Sequence, residues 1–162
     1  MKLEIGARSG SRAYMVGLEE ALAFARAYDP QRFHLDEDAA AANPLFGRVS
    51  ISGWLTCAIA MRLTVDSWET EGERPLGGAG IEDIRWSRPV FPGDTLTAAF
   101  EVLGVTEGKP RAGMRIVRVA TEVSNQDNAV VMRHVSNVIF PAATPPVEHG
   151  EDAAEREAAI SS

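Results

Sequence analysis

The sequence holds a single cysteine, Cys57, among 162 residues. No disulfide can close within the chain. Cys57 lies inside an apolar run, where a thiol serves as a small core hydrophobe rather than a nucleophile. Histidine is also scarce, with three in all. Without a Cys/His cluster at ligand spacing, no metal site is expected. No apolar run approaches the roughly 20 residues that cross a bilayer. The start, Met1-Lys2-Leu3-Glu4, lacks the basic-then-apolar order of a signal peptide. Positive charge is in deficit, with 16 Lys and Arg against 23 Asp and Glu, for a net charge of −7. That balance argues against a nucleic-acid partner, which needs a basic face, and against an anionic membrane surface. A cytoplasmic protein is the expectation. The run Gly77-Gly78-Ala79-Gly80 is no phosphate loop, because no Lys-Ser/Thr follows. A Gly-x-Ser-x-Gly nucleophile elbow is absent as well.

What is present is enough for one domain. The acids are unevenly placed. Glu148, Glu151, Asp152, Glu155 and Glu157 face only Arg156 beyond Pro141, so most of the negative charge belongs to the last twenty-odd residues. We expect a folded domain over 1–140 and an acidic, disordered tail over 141–162. The body divides into short elements. Residues 11–16 suit a first strand. Leu18 to Tyr28 reads as an amphipathic helix stopped at Asp29-Pro30, because the residue before proline avoids the helical region. Asp36 can cap a short helix over 37–42.

The most informative stretch runs from Gly53 to about Glu69. Trp54, Leu55, Cys57, Ala58, Ile59, Met61, Leu63, Val65 and Trp68 cover most of a helix's circumference. Only Arg62, Asp66 and Glu69 form a polar stripe, so the helix is expected to be buried on nearly all sides. Gly72 to Gly80 reads as a glycine-rich connection. Four strand-like runs follow, over 81–90, 95–105, 115–124 and 130–140, with turns at Pro92-Gly93-Asp94 and Asn125 to Asn128. Consecutive strands joined by short turns imply an antiparallel sheet. The predicted architecture is α+β, a curved sheet around the helix at 53–69.

Two groups of residues carry possible chemistry. In Asp29-Pro30-Gln31-Arg32-Phe33-His34 a carboxylate and an imidazole lie five residues apart across a proline bend. Such a pair can move protons in either direction near neutral pH. The same residues also suit a plain helix cap and a structural histidine. In Ser50-Ile51-Ser52-Gly53-Trp54 the helix start offers backbone N–H groups that can steady a developing oxyanion. Here too a simple Ser52 cap accounts for the pattern. Trp54, Trp86 and Phe33 are candidate walls of an acyl pocket. Arg32, Arg85 and Arg88 are candidate phosphate contacts. His134, alternating with apolar neighbours on a strand, reads as structural, and His149 lies in the tail.

From Asp29 to Gly53 the chain resembles the MaoC-like dehydratase family, which includes the R-specific enoyl-CoA hydratases and has the hot-dog fold. The family motif is Asp-x-Asn-Pro-x-His, and Asp29 and His34 match it in type and spacing. Leu35-Asp36-Glu37-Asp38-Ala39-Ala40, Phe46-Gly47 and Pro89-Val90-Phe91-Pro92-Gly93-Asp94-Thr95-Leu96 are also similar. The departures are Gln31 for Asn, Arg32 for Pro, Ser52-Gly53 for His-Gly, and Met61 where some members carry a serine. The resemblance implies a hydratase or dehydratase acting on an acyl thioester, with CoA as the substrate's carrier and no other cofactor. Asp29 and His34 are then the acid/base pair and Gly53 the oxyanion donor. Gln31, Phe33, Ser52, Trp54 and Trp86 are the implied substrate contacts. A homodimer with joined sheets is implied, with the site near the subunit interface. A thioesterase of the same fold and a non-catalytic acyl-thioester binding protein are the alternatives.

Overall fold

A computed structural model describes residues 3–70, 74–107 and 113–142. The expected disorder of the tail, and His149 within it, lie outside the described residues. The elements run β1 (Arg8–Gly10), β2 (Tyr14–Met15), α1 (Leu18–Tyr28), a 3-10 turn (Arg32–His34), α2 (Glu37–Ala41), α3 (Gly53–Thr70), β3 (Gly77–Trp86), β4 (Thr95–Glu107), β5 (Met114–Ser124) and β6 (Val130–Pro141). The strands form one antiparallel sheet in the order β1-β4-β5-β6-β3, with β2 also paired to β4.

The registers follow from alternation. Phe100 pairs with Thr121 and Thr121 with His134; Ala98 pairs with Val123 and Val123 with Met132. These rows put Leu96, Ala98, Phe100, Val102, Val117, Val119, Val123, Met132, Val138 and Phe140 on one buried face. Helix α3 closes that face with Leu55, Ile59, Ala60, Leu63 and Trp68. The Trp68 ring meets Phe140 edge-on, 5.5 Å between centroids. Register shifts after Val102 and after Glu82 supply the local bends that a curling sheet needs. A long helix gripped by a curved antiparallel sheet is the hot-dog arrangement, as expected.

The turns are legible chemistry. Gly93 sits at φ 92° after Pro92, and the Asp94 N–H reaches Phe91 O at 3.0 Å. That is a type II turn, which requires a positive φ at its third residue. The buried Asp94 side chain accepts from the Phe91 N–H at 2.9 Å and from Gln126 Nε2 at 3.0 Å, tying this turn to the β5–β6 hairpin.

Three expectations change. In place of a single strand over 11–16 there are two short ones, β1 just before that range and β2 within it, because both align on β4 with a break between them. The glycines at 77, 78 and 80 lie inside β3, whose backbone pairs with β6 from Gly77 onward; no side-chain alternation marks them as a strand. Finally, α3 is not enclosed on nearly all sides by its own chain. Trp54 is 58% and Met61 47% exposed, and Ala58 between them is also exposed. This apolar stripe lies on the helix, while β3 forms the sheet edge with Ile81 and Trp86 exposed.

Candidate active site

The end of α1 builds the first half of the site. Asp29 closes the helix with φ −145°, its N–H still bonded to Ala25 O. Pro30 forces the chain to turn, and the Gln31 N–H returns to Asp29 O at 2.8 Å, a three-residue turn. The 3-10 turn that follows brings His34 back beside Asp29. His34 Nε2 lies 3.4 Å from Asp29 Oδ2.

The segment before α3 builds the second half. The Ile51 N–H is held by Val90 O at 2.9 Å, which brings the chain after β3 to the same place. The carbonyl of Ser50 receives His34 Nδ1 at 2.7 Å. A carbonyl can only accept, so Nδ1 carries the proton and Nε2 is the atom left to exchange one. His34 is buried, with its ring edge-on to Phe33 at 4.4 Å. Ser52 caps the helix, accepting from the Trp54 N–H at 3.2 Å, and its hydroxyl donates to Asp29 Oδ2 at 2.7 Å. Gln31 Nε2 donates to Asp29 Oδ1 at 2.8 Å. Burial pushes the Asp29 carboxyl up. The Ser52 and Gln31 hydrogen bonds, and the charge His34 carries whenever it is protonated, outweigh it, so Asp29 stays below its ordinary value.

Asp29, Gln31, Phe33, His34, Gly53, Trp54 and Trp86 all line one cavity of about 490 Å³, completed by Leu45, Phe46, Ile51, Thr56, Ser87, Arg88, Pro89 and Val90. Among the described residues no acceptor is recorded for the Gly53 N–H, which opens α3 on the cavity wall. Packing gives a reason for glycine at 53. A Cβ there would meet the Trp86 indole at 2.9 Å, and Trp86 Nε1 donates to Gly53 O at 2.9 Å. Close approach is made by a side chain of the protein. Trp86 also meets Trp54 edge-on, 5.5 Å between centroids.

Ser52, expected to touch substrate, has 0% exposure and is not on the cavity wall; its hydroxyl is committed to Asp29. Cys57, expected in the core, is only half-buried, its thiol 3.5 Å from Met132 Sδ. Burial pushes that thiol up, with a Trp86 hydrogen bond opposing it. Arg32 is 3.8 Å from Asp36, and Arg85 is 3.3 Å from Asp83. Of the three arginines, Arg88 alone reaches the cavity, its Nη1 bonded to Val130 O at 3.2 Å. Burial holds His134 below its ordinary value on the inner sheet face. Sequence reasoning did not assign the Ser50 carbonyl to His34, nor Leu45, Phe46 and Thr56 to the wall. A main-chain acceptor leaves no mark in residue type. Phe46, 5.1 Å from Phe33 between ring centroids, was visible only as part of the family-like pair Phe46-Gly47.

A carboxylate and an imidazole meet at the mouth of a helix gripped by a curved sheet: this is a hot-dog domain with a carboxylate–imidazole pair on a cavity wall. The chain belongs to the MaoC-like domain family, whose model matches residues 6–126. It is similar to the crystal structure of a MaoC-like dehydratase from Rhodospirillum rubrum, with 36% identity, a TM-score of 0.75, and coverage of 85% of this chain and 92% of that one. It is also similar to the (R)-hydratase from A. caviae involved in PHA biosynthesis, with 28% identity, a TM-score of 0.69, and coverage of 86% and 98%. Among curated relatives, 3-hydroxyacyl-thioester dehydratase Z of Mycobacterium tuberculosis is 32% identical over 79 residues. That match spans 49% of this chain and about half of the relative, 52%. No helix among the described residues is long and apolar enough to cross a membrane.

Proposed function

We propose that this protein reversibly adds water to a 2-enoyl thioester, giving a 3-hydroxyacyl thioester. The observation that carries the reading is the pairing of His34 Nε2 and Asp29 Oδ2, 3.4 Å apart on the wall of a cavity next to the start of α3. With the Nδ1 proton donated to the Ser50 carbonyl, the neutral form of His34 presents a lone pair at Nε2. Asp29 presents a carboxylate oxygen beside it. Two acceptors that close can hold the two hydrogens of one water.

In hydration, the pair takes one proton from this water as its oxygen bonds to the β-carbon. Electrons move through the conjugated system to the thioester oxygen, where the Gly53 N–H and the helix start offset the charge. The proton then passes from the pair to the α-carbon and the carbonyl re-forms. The sum is addition of H and OH, with no redox change and no group beyond the substrate's own carrier. Phe33, Phe46, Trp54 and Trp86 offer the acyl chain an apolar wall.

The same proposal includes CoA as the carrier, a cytoplasmic setting and a homodimer. The outer edge of β3 has no partner strand among the described residues, and an open edge is a template for pairing. A second copy paired there can also cover the exposed Trp54 and Met61 stripe of α3.

The test is to incubate the full chain with a panel of short and medium 2-enoyl-CoA esters and follow loss of the enoyl absorbance. Hydration predicts loss without thiol release. Thiol release in its place would assign a thioesterase. Binding by calorimetry with no turnover of any enoyl or hydroxyacyl ester would assign a non-catalytic binding protein.

A further inference from the structure

The Ser52 hydroxyl has one proton to donate, and Asp29 Oδ2 receives it at 2.7 Å. Its oxygen meanwhile accepts from the Trp54 N–H at 3.2 Å. The two bonds run in one direction, from the first turn of α3 through the hydroxyl to the carboxylate. A donor behind a hydroxyl polarises it and strengthens its own donation. The first turn of an 18-residue helix adds a partial positive charge. Gln31 holds the other carboxylate oxygen from the opposite side of the bend, so the plane of the Asp29 carboxylate is pinned at both ends. The oxygen pinned by Ser52 is the one 3.4 Å from His34 Nε2.

We propose that Ser52 is a positioning residue that couples the start of α3 to Asp29, holding its carboxylate ionised and aimed at His34 without touching substrate. Its complete burial, away from the cavity wall, separates this role from substrate contact. The depressed titration of Asp29, with Ser52 among its causes, agrees with the geometry. The other charged or titratable groups on the same cavity are His34 and Arg88. The kinetic arm of the proposal rests on the hydratase reading, and the structural arm does not.

The experiment compares Ser52→Gly and Ser52→Thr with wild type in the full chain. Glycine is nearly as good a helix cap as serine, so this variant deletes the hydroxyl while sparing the helix start. A hydrogen bond to a charged group predicts a loss of kcat of about tenfold to a hundredfold in Ser52→Gly, with KM within about twofold. Asp29 must be ionised to act, so losing a donor moves the acid limb of kcat/KM to higher pH. Ser52→Thr restores both. A readout free of substrate is the carboxyl-carbon NMR titration of Asp29, which shifts to higher pH in Ser52→Gly. Ser52→Ala carries the same readings if the glycine variant is unfolded by circular dichroism. A folded variant with wild-type kcat, or an unmoved Asp29 titration, overturns the proposal. If wild type itself turns over no enoyl thioester, the hydratase reading falls, and the titration alone then decides the role of Ser52.

Discussion

Replacing Asp29 by asparagine removes the proposed base and changes almost nothing else in shape. The wild-type carboxylate accepts from Ser52 at 2.7 Å and from Gln31 at 2.8 Å. In the variant one oxygen remains, and it can stay with Ser52. The new NH2 then faces Gln31, whose amide can rotate to present its own oxygen, because Gln31 is an exposed side chain on a turn. The hydrogen-bond inventory therefore closes and the fold survives. The chemistry does not, because an amide cannot take a proton from water. Loss of one acid/base group corresponds to about 10²–10⁴ in rate, or about 3–5 kcal/mol of transition-state stabilisation. The assay is kcat and KM for the best enoyl thioester, alongside thermal unfolding. The expected result is a fall in kcat with KM little changed. There is a second signature in the pH dependence of stability. Asp29 titrates below its ordinary value in the folded protein, so it contributes stability above the unfolded-state carboxyl range and loses it as pH falls through the depressed folded value. Asparagine removes that contribution and flattens the acid side of the stability profile. Turnover within about threefold of wild type in a folded variant would refute the assigned role.

Other perturbations test the frame around the site. Gly53→Ala places a methyl 2.9 Å from the Trp86 ring, so urea unfolding should show a loss of about 1–3 kcal/mol; an unchanged midpoint would contradict the packing described. Phe140→Ala empties a fully buried position against Trp68 and should cost about 3–5 kcal/mol by the same measurement. Met61→Glu puts a charge on the exposed stripe of α3. If a second copy covers that stripe, light scattering after gel filtration should show a shift from dimer to monomer, and a wild type already monomeric would remove the dimer from the proposal.

Much of the architecture was written in local patterns. Alternation in β4, β5 and β6, proline after α1 and the Pro92-Gly93 turn each dictate a backbone state from neighbouring residues. Where the sequence reading failed, the cause was non-local or silent. Gly77, Gly78 and Gly80 carry no side chains, so their pairing with β6 had no period to reveal it. The apolar circumference of α3 implied full enclosure, yet periodicity cannot tell which chain supplies the cover. In the site, Asp29 and His34 were legible as a pair because a proline bend joins them. The Asp29–Ser52 bond crosses 23 residues, and the helix-cap reading of Ser52 gave half of its geometry while missing its donation. Glycine at 53 was singled out for its N–H, whereas the contact that excludes a side chain there is made by Trp86.

The anchor of the imidazole is a peptide oxygen, that of Ser50. Replacing the side chain at position 50 removes the Ser50 hydroxyl, 3.3 Å from the same Nδ1, but leaves the closer peptide oxygen in place, so the arrangement of hydrogens on His34 is inherited mainly through the path of the main chain. Drift at position 50 can therefore reshape the neighbourhood while the ring keeps its orientation. Conversely, an insertion between Phe46 and Ser52 that displaced the backbone by an ångström or two would silence the ring with every named side chain still present.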